Sequence, residues 1–250
     1  MELSDLRLSP PSLEELLPGV IRQLGYPANR AVGRDILEEV KRQLRRATER
    51  MEPRFLYRVS PITGWGRGFV AGQDLEIRSA RWARLTARLE QPEVLCGFVV
   101  TLGQRLDEEI AASQLKSMFQ AYLLDAAASR LVEEMADQVD RFLRRVLESR
   151  GCQATARFSP GYCDWEVGGG QTALFRFLDP HAVGVRLSSG GMMIPRKSIS
   201  ACVIGAREVA VGVPCVFCAE AGCSYRRGSL QTAPRAAGRG MKRKRAPRDP

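Results

Sequence analysis

Two short segments of this chain concentrate residue types able to do chemistry. The first is Ala156-Arg157-Phe158-Ser159-Pro160-Gly161-Tyr162-Cys163-Asp164-Trp165. Pro160 restricts Ser159 to extended backbone, and Gly161 permits a turn that other residues resist. A stiff loop of this kind presents Arg157, Tyr162 and Trp165. The planar guanidinium fork suits a carboxylate or phosphate, and the rings suit a flat or cationic ligand. A structural Pro-Gly turn with one surface arginine accounts for the same residues equally well. The second segment is Cys215-x2-Cys218-x4-Cys223. Three thiolates this close match the spacing of a zinc or iron–sulfur site, with Cys202 or Cys163 as candidate fourth ligand. The gaps are not in the order of a radical S-adenosylmethionine motif, and three reduced cysteines in a small turn explain them as well. The single histidine, His181, follows a proline and reads as a turn residue rather than a ligand or base. No convincing catalytic triad is present. Cys96 and Cys152 read as small buried hydrophobes.

The elements that must position these groups follow from hydrophobic spacing. Residues 12–25 form a short helix opened by Ser12 with Glu15 three positions on, a capping box. Val32, Ile36, Leu37, Val40, Leu44, Ala47 and Met51 fall at helical spacing, and Pro53 stops that helix. Phe55–Val59 alternates as a strand, Pro61–Gly68 is rich in turn residues, and Asp74–Arg78 is a second strand. Trp82, Leu85 and Leu89 suggest a helix, and Leu95–Leu102 is an apolar strand ended by Gly103. Residues 104–149 read as two helices, the first marked by Leu106, Ile110 and Leu115. Phe119, Leu123, Leu131, Met135, Val139, Phe142 and Val146 mark the second, which Gly151 closes. Residues 157–170 are irregular, 172–178 form a short helix, and 183–187 and 199–204 are strands. Helices followed by mixed elements, without βαβ alternation, define an α+β fold.

Composition narrows the function classes. The chain is long enough for one domain or two small ones, and no apolar run approaches a membrane span. Seven cysteines, and a start at Met1-Glu2-Leu3-Ser4-Asp5 without basic or apolar export character, point to a reducing, cytoplasmic setting. The net charge of +10 is concentrated in residues 226–250, which hold nine Lys/Arg against Asp249. The remainder is nearly neutral, so the tail reads as a solvated appendage and specific nucleic-acid binding is not expected.

Arg157-x-x-Pro160-Gly161-Tyr162 resembles the Arg-Pro-Ala-Pro-Gly-Tyr signature of the activation domain of vitamin B12-dependent methionine synthase. The helix Ser129-Arg130-Leu131-Val132-Glu133-Glu134-Met135-Ala136 is similar to that family's Arg-Leu-Ala-Glu helix. Val183–Leu187, Met192-Met193-Ile194-Pro195 and Ser198–Ala201 resemble the strand, proline loop and second strand that follow. The likeness spans about residues 95–205 and is greatest to stand-alone, shorter members. It implies a mixed, mainly antiparallel sheet with long helices, and reductive reactivation of a cob(II)alamin protein. S-adenosylmethionine is the implied methyl donor, and a low-potential flavodoxin or ferredoxin the implied electron source. The implied partner is methionine synthase lacking its own activation domain, or another corrinoid protein. By the same resemblance Arg157 pairs with the methionyl carboxylate, and Phe158, Ser159, Pro160, Gly161 and Tyr162 hold the ligand's polar edges. Tyr162 faces the corrin as the catalytic position, and Glu133 adds a contact from the helix.

Departures are as informative. After Tyr162 stands Cys-Asp-Trp-Glu-Val-Gly-Gly-Gly-Gln, where the family has a Pro-Ala-Cys-Pro and a His-x-x-Glu-Lys. The acidic contact that the family draws from its N-terminal part has two candidates, Asp74 and Asp107. The expected organisation is an N-terminal region at 1–94 packing on a core at 95–212, a cysteine cluster at 213–227 and a basic tail at 228–250. Cys215, Cys218 and Cys223 would then hold iron–sulfur or zinc, and a cluster there could supply the electron. Two competing expectations are a non-catalytic adaptor of a corrinoid protein and a nucleic-acid binder using the tail.

Overall fold

The computed structural model describes residues 6–26, 31–66, 68–80, 89–162 and 164–209. The expected helix at Trp82 and Leu85, the ligand candidate Cys163, the cysteine cluster and the basic tail lie outside these residues.

Helix α1 (Leu13–Gln23) begins at the Ser12 capping box, with Ser12 Oγ accepting from the Glu15 amide and Glu15 reaching back to the Ser12 amide. Helix α2 (Arg34–Arg50) buries Val40, Leu44 and Ala47 on one face. Strands β1 (Arg54–Gly66), β2 (Phe69–Gly72), β3 (Glu76–Arg78), β4 (Leu89–Thr101), β5 (Gln153–Ala154) and β8 (Ser198–Val209) build one sheet in the order β3-β2-β1-β4-β8-β5. Every neighbouring pair is antiparallel. Helices α3 (Gln104–Gln114) and α4 (Met118–Glu148) follow β4, and α5 (Val167–Leu178) follows the loop after β5. A small hairpin of β6 (Arg186–Leu187) and β7 (Met193–Ile194) leads into β8.

The sheet is covered on both faces, which explains the nearly continuous apolar runs of β4 and β8. Cys96, Phe98, Val100, Ala201 and Val203 face the helices α1, α2, α3 and α4. Leu95, Val99, Cys202 and Ile204 face α5 and the loop before it. Gly97 lies on that second face, where a Cβ would come within 3.1 Å of both Phe177 and Leu174. Its lack of a side chain is what lets α5 sit directly on β4.

Several expectations need correction. The stretch read as turns, Pro61–Gly66, continues β1 through an irregularity between Ile62 and Gly64 and pairs with β2, a strand the sequence reading omits. Gly66 there admits the Phe69 ring, which a Cβ would meet at 2.8 Å. Leu89 belongs to β4 rather than to a helix. Leu115 and Phe119 are exposed, because they flank the corner between α3 and α4 where helical periodicity no longer reports burial. Residues 167–170 open α5 instead of being irregular. Of the strand expected at 183–187 only Arg186–Leu187 is extended, as β6, and Val183 ends a 3-10 turn, Pro180–Val183, that contains His181.

Helix α2 is tied to α3 by Arg46, whose Nε donates to Glu109 at 2.8 Å and which holds the Glu109 carboxyl below its ordinary value of 4.5. A depressed carboxyl stabilises the fold above that value and loses its contribution as pH falls through the folded-state value. Glu109→Gln is therefore expected to cost about 0.5–1 kcal/mol near neutral pH, a cost that fades as pH is lowered through the folded-state value. Urea midpoints of both proteins across that range are the check; a pH-independent difference contradicts the assignment.

Candidate functional site

Helix α4 runs for 31 residues from its Ser117 cap, whose hydroxyl accepts from the Gln120 amide. Asp125, Ser129, Glu133 and Asp137 recur every four residues, the spacing that places side chains on one helix face. Lys197, just before β8, reaches this face and meets Asp125 at 2.7 Å and Ser129 at 3.0 Å. Arg157 reaches it farther along. Its Nη1 donates to Asp137 Oδ1 at 2.6 Å and its Nη2 to Glu133 Oε2. The Arg157 side chain is 1% exposed, against 23% for Glu133 and 28% for Asp137. Its Nε is buried with no hydrogen-bond partner.

The expectation that Arg157 lies open to a ligand carboxylate is thereby corrected. Both terminal nitrogens donate to acids of α4, and the remaining guanidinium hydrogens belong to a side chain that is almost wholly inaccessible. Sequence reasoning named Glu133 but missed Asp137. The signal was available: an acid one turn beyond Glu133 on the same face.

Arg157 marks the start of a loop that wraps the edge of the sheet. Phe158 forms an isolated antiparallel bridge with Cys202, each amide donating to the other's carbonyl at 2.8 Å. Arg157 thus turns to the helix side, and Phe158 enters the core on the opposite face. There Phe158 stacks on Trp165 at 5.4 Å and meets Tyr162 edge-on at 6.0 Å. Trp165, expected to be presented, is buried. The turn between them is closed by the Tyr162 amide donating to the Ser159 carbonyl at 3.0 Å. Pro160 occupies its second position and Gly161, with φ of 90°, its third, the requirement of a type II turn. The Gly161 amide donates to the Trp165 carbonyl at 2.8 Å. Tyr162 is half-buried on the rim, and Ser79 hydrogen-bonds Asp164 beside it. The Glu166 carboxylate then caps α5, accepting from the Gly168 and Gly169 amides, which hold it below the usual carboxylate range. That cap offsets the poor helix propensity of three successive glycines. Gly170 is required sterically as well, because a Cβ would lie 2.5 Å from Trp165 Nε1.

Gly161→Ala is expected to cost about 1–2 kcal/mol, since the backbone conformation resists a Cβ. That Cβ would also stand 3.1 Å from Val167 Cγ2. Thermal unfolding measures the loss; an unchanged midpoint means that the turn can adopt another form.

The other expected site residues are not brought to this face. Asp74 pairs with Arg58 at 2.8 Å, and Asp107 accepts from the Arg196 amide at 2.6 Å. Cys202 is completely buried, and that burial, with Cys96 nearby, pushes its thiol well above the ordinary value. Among the described residues no group of three or more His, Cys, Asp or Glu side chains is arranged to hold a metal ion.

Antiparallel sheet, long α4 and wrapped loop together define an α+β domain. The family model of the vitamin B12 dependent methionine synthase activation domain matches residues 85–211. That match takes in half the chain, including Glu133 and the whole 157–165 loop, and the chain belongs to this family. Its structure is similar to the crystal structure of the MetH reactivation domain bound to AdoHcy, with a TM-score of 0.50 and 16% identity over 80% of this chain and 78% of that one. This likeness bears out the fold. No curated protein matches the chain. No helix among the described residues is long and apolar enough to cross a membrane.

Proposed function

We propose that this chain binds S-adenosylmethionine beside the 157–162 loop and presents its sulfonium methyl to the cobalt of a cobalamin-carrying partner protein. The observation that carries this reading is the family match over residues 85–211, which contains the Arg157-x-x-Pro160-Gly161-Tyr162 loop. The solved neighbour's adenosyl-homocysteine is the demethylated form of the same ligand class.

In this reading Arg157 acts chiefly as an anchor, fastening the loop to α4 through Glu133 and Asp137. The loop backbone from Phe158 to Tyr162 holds the polar edges of the ligand. Glu133, partly exposed, faces its positively charged portion. Half-buried Tyr162 lies toward the corrin. When the partner docks, its cobalt, reduced by one electron from a low-potential flavodoxin or ferredoxin, takes the methyl carbon while the carbon–sulfur bond breaks and the neutral thioether leaves. This chain needs no nucleophile or proton-transfer pair for that step, only in-line positioning. The partner is proposed to be methionine synthase lacking its own activation domain, or another corrinoid protein, in the cytoplasm. Cys215, Cys218 and Cys223 remain candidate ligands for zinc or an iron–sulfur cluster, which anaerobic purification with iron, sulfide and zinc analysis tests.

The deciding experiment mixes the protein anaerobically with a cob(II)alamin protein, reductant and S-adenosylmethionine. Methylcobalamin is expected to appear in the absorption spectrum only when all four are present. Calorimetric titration with S-adenosylmethionine supplies the binding step separately. The internal pairing of Arg157 favours one second reading, a non-catalytic adaptor of a corrinoid protein. Partner binding without measurable ligand affinity selects the adaptor and defeats the methyl-transfer reading.

A further inference from the structure

On α4 beyond Asp137 the charge pattern reverses. Gln138, Arg141, Arg144, Arg145 and Glu148, with Leu6 from the N-terminal segment, line a groove of about 370 Å³. The opposite wall is held in place because Gln138 Nε2 donates to the Ser9 carbonyl at 2.6 Å and the Ser9 amide donates back to Gln138 Oε1 at 3.2 Å. Arg144 is immobilised: its Nε donates to Asp140 at 2.9 Å, its Nη1 to the Ala154 carbonyl at 3.0 Å and its Nη2 to the Thr155 carbonyl at 2.8 Å. Arg141 and Arg145 are exposed and form no ion pair among the described residues. Glu148, the one carboxylate on the rim, is paired with neither.

Two cations four residues apart on a helix repel each other and weaken it slightly. The helix dipole favours a cation only in the last turn, which covers Arg145 but not Arg141, seven residues before the end of α4. Fold stability therefore does not explain the pair. Guanidinium groups on consecutive turns, about 5–6 Å apart at Cβ, can share one multi-oxygen anion, each contributing a fork of N–H donors. All three cations are arginine, the side chain whose planar fork matches phosphate geometry. The volume falls within the range of small-ligand pockets and is small for an extended peptide.

We propose that this groove is a binding site for a phosphate-bearing small molecule, its phosphate bridged by Arg141 and Arg145, with Leu6 against its apolar portion. The site is separate from the loop at Arg157 and does not depend on the methyl-transfer reading. It is nevertheless joined to that loop, because Arg144 holds the carbonyls of Ala154 and Thr155 immediately before Arg157.

The test is calorimetric titration of the full chain with inorganic pyrophosphate at near-physiological ionic strength. Arg141→Gln and Arg145→Gln are run beside it, and a glutamate-rich peptide serves as a second probe. Saturable binding is expected, weakened about tenfold or more by either substitution, as loss of a charge-assisted hydrogen bond implies. Both side chains are solvent-facing, and thermal melts verify that the variants remain folded. Absence of saturable binding overturns the proposal. So does binding indifferent to both substitutions, which assigns the anion to the basic tail. Tighter, equally arginine-dependent binding of the acidic peptide overturns it in favour of a protein-docking surface.

Discussion

Replacing both Glu133 and Asp137 by their amides is expected to destabilise the protein by about 3–5 kcal/mol, because it leaves a buried guanidinium without countercharge. The cost is asymmetric. Arg157 is almost wholly inaccessible, whereas the two acids keep about a quarter of their surface in water. Arg157→Met removes the charge that cannot be hydrated and leaves two that can, so it is expected to cost clearly less than the double amide variant. Urea unfolding of the two variants beside the native protein makes the comparison. Equal losses, or a larger loss for Arg157→Met, mean that the cluster is hydrated in solution and that the arginine is not an anchor. Calorimetry on the same samples tests the site: the double amide variant is expected to lose S-adenosylmethionine affinity even at temperatures where it remains folded.

The second large effect belongs to Phe158. This side chain is completely buried, lies flat against Trp165 and touches Tyr162, while its backbone bridges to Cys202. Phe158→Ala is expected to lose about 3–5 kcal/mol through the missing transfer energy and the cavity left behind. Because the ring supports the inner side of the Pro160-Gly161 turn, the variant is also expected to raise proteolytic susceptibility at residues 159–164 before global unfolding. Limited proteolysis with mass mapping reads this out. Cleavage first appearing elsewhere means that the loop is held by its backbone bonds and not by the ring.

How far these features could be read from the residues depended on the range of the interaction. The Ser12 capping box, the Pro53 stop and the apolar stripe of α4 are local patterns, and each element is found where its pattern places it. The Leu95–Leu102 run was legible as a strand because both faces are covered and no polar alternation is required. Local signals failed where distant parts of the chain decide the outcome. Pro61 and the glycines near it suggest turns, yet pairing with β2 and β4 keeps the backbone extended. Gly168, Gly169 and Gly170 suggest an irregular loop, yet the Glu166 cap and the Trp165 side chain make a helix of them. The candidate site was half legible. The Arg-x-x-Pro-Gly-Tyr loop could be named from type and spacing, and Glu133 from the family resemblance. That they would close on each other through Asp137 is a contact across 20 residues and more, which no local periodicity encodes.

The strand order has one further consequence. The sheet ends on one side in β3, three residues long with Glu76 and Arg78 turned to solvent, and on the other in the two-residue β5. Beyond β5, the rim of β8 is occupied by the Phe158 bridge. Among the described residues, neither of these two end strands is itself a long, flat ladder of unused amides and carbonyls, which is what a foreign strand needs in order to add on. The same wrap that stations Arg157 against α4 therefore also covers the rim of β8 at Cys202, so loosening it is expected to bare that stretch of strand as well as the candidate site.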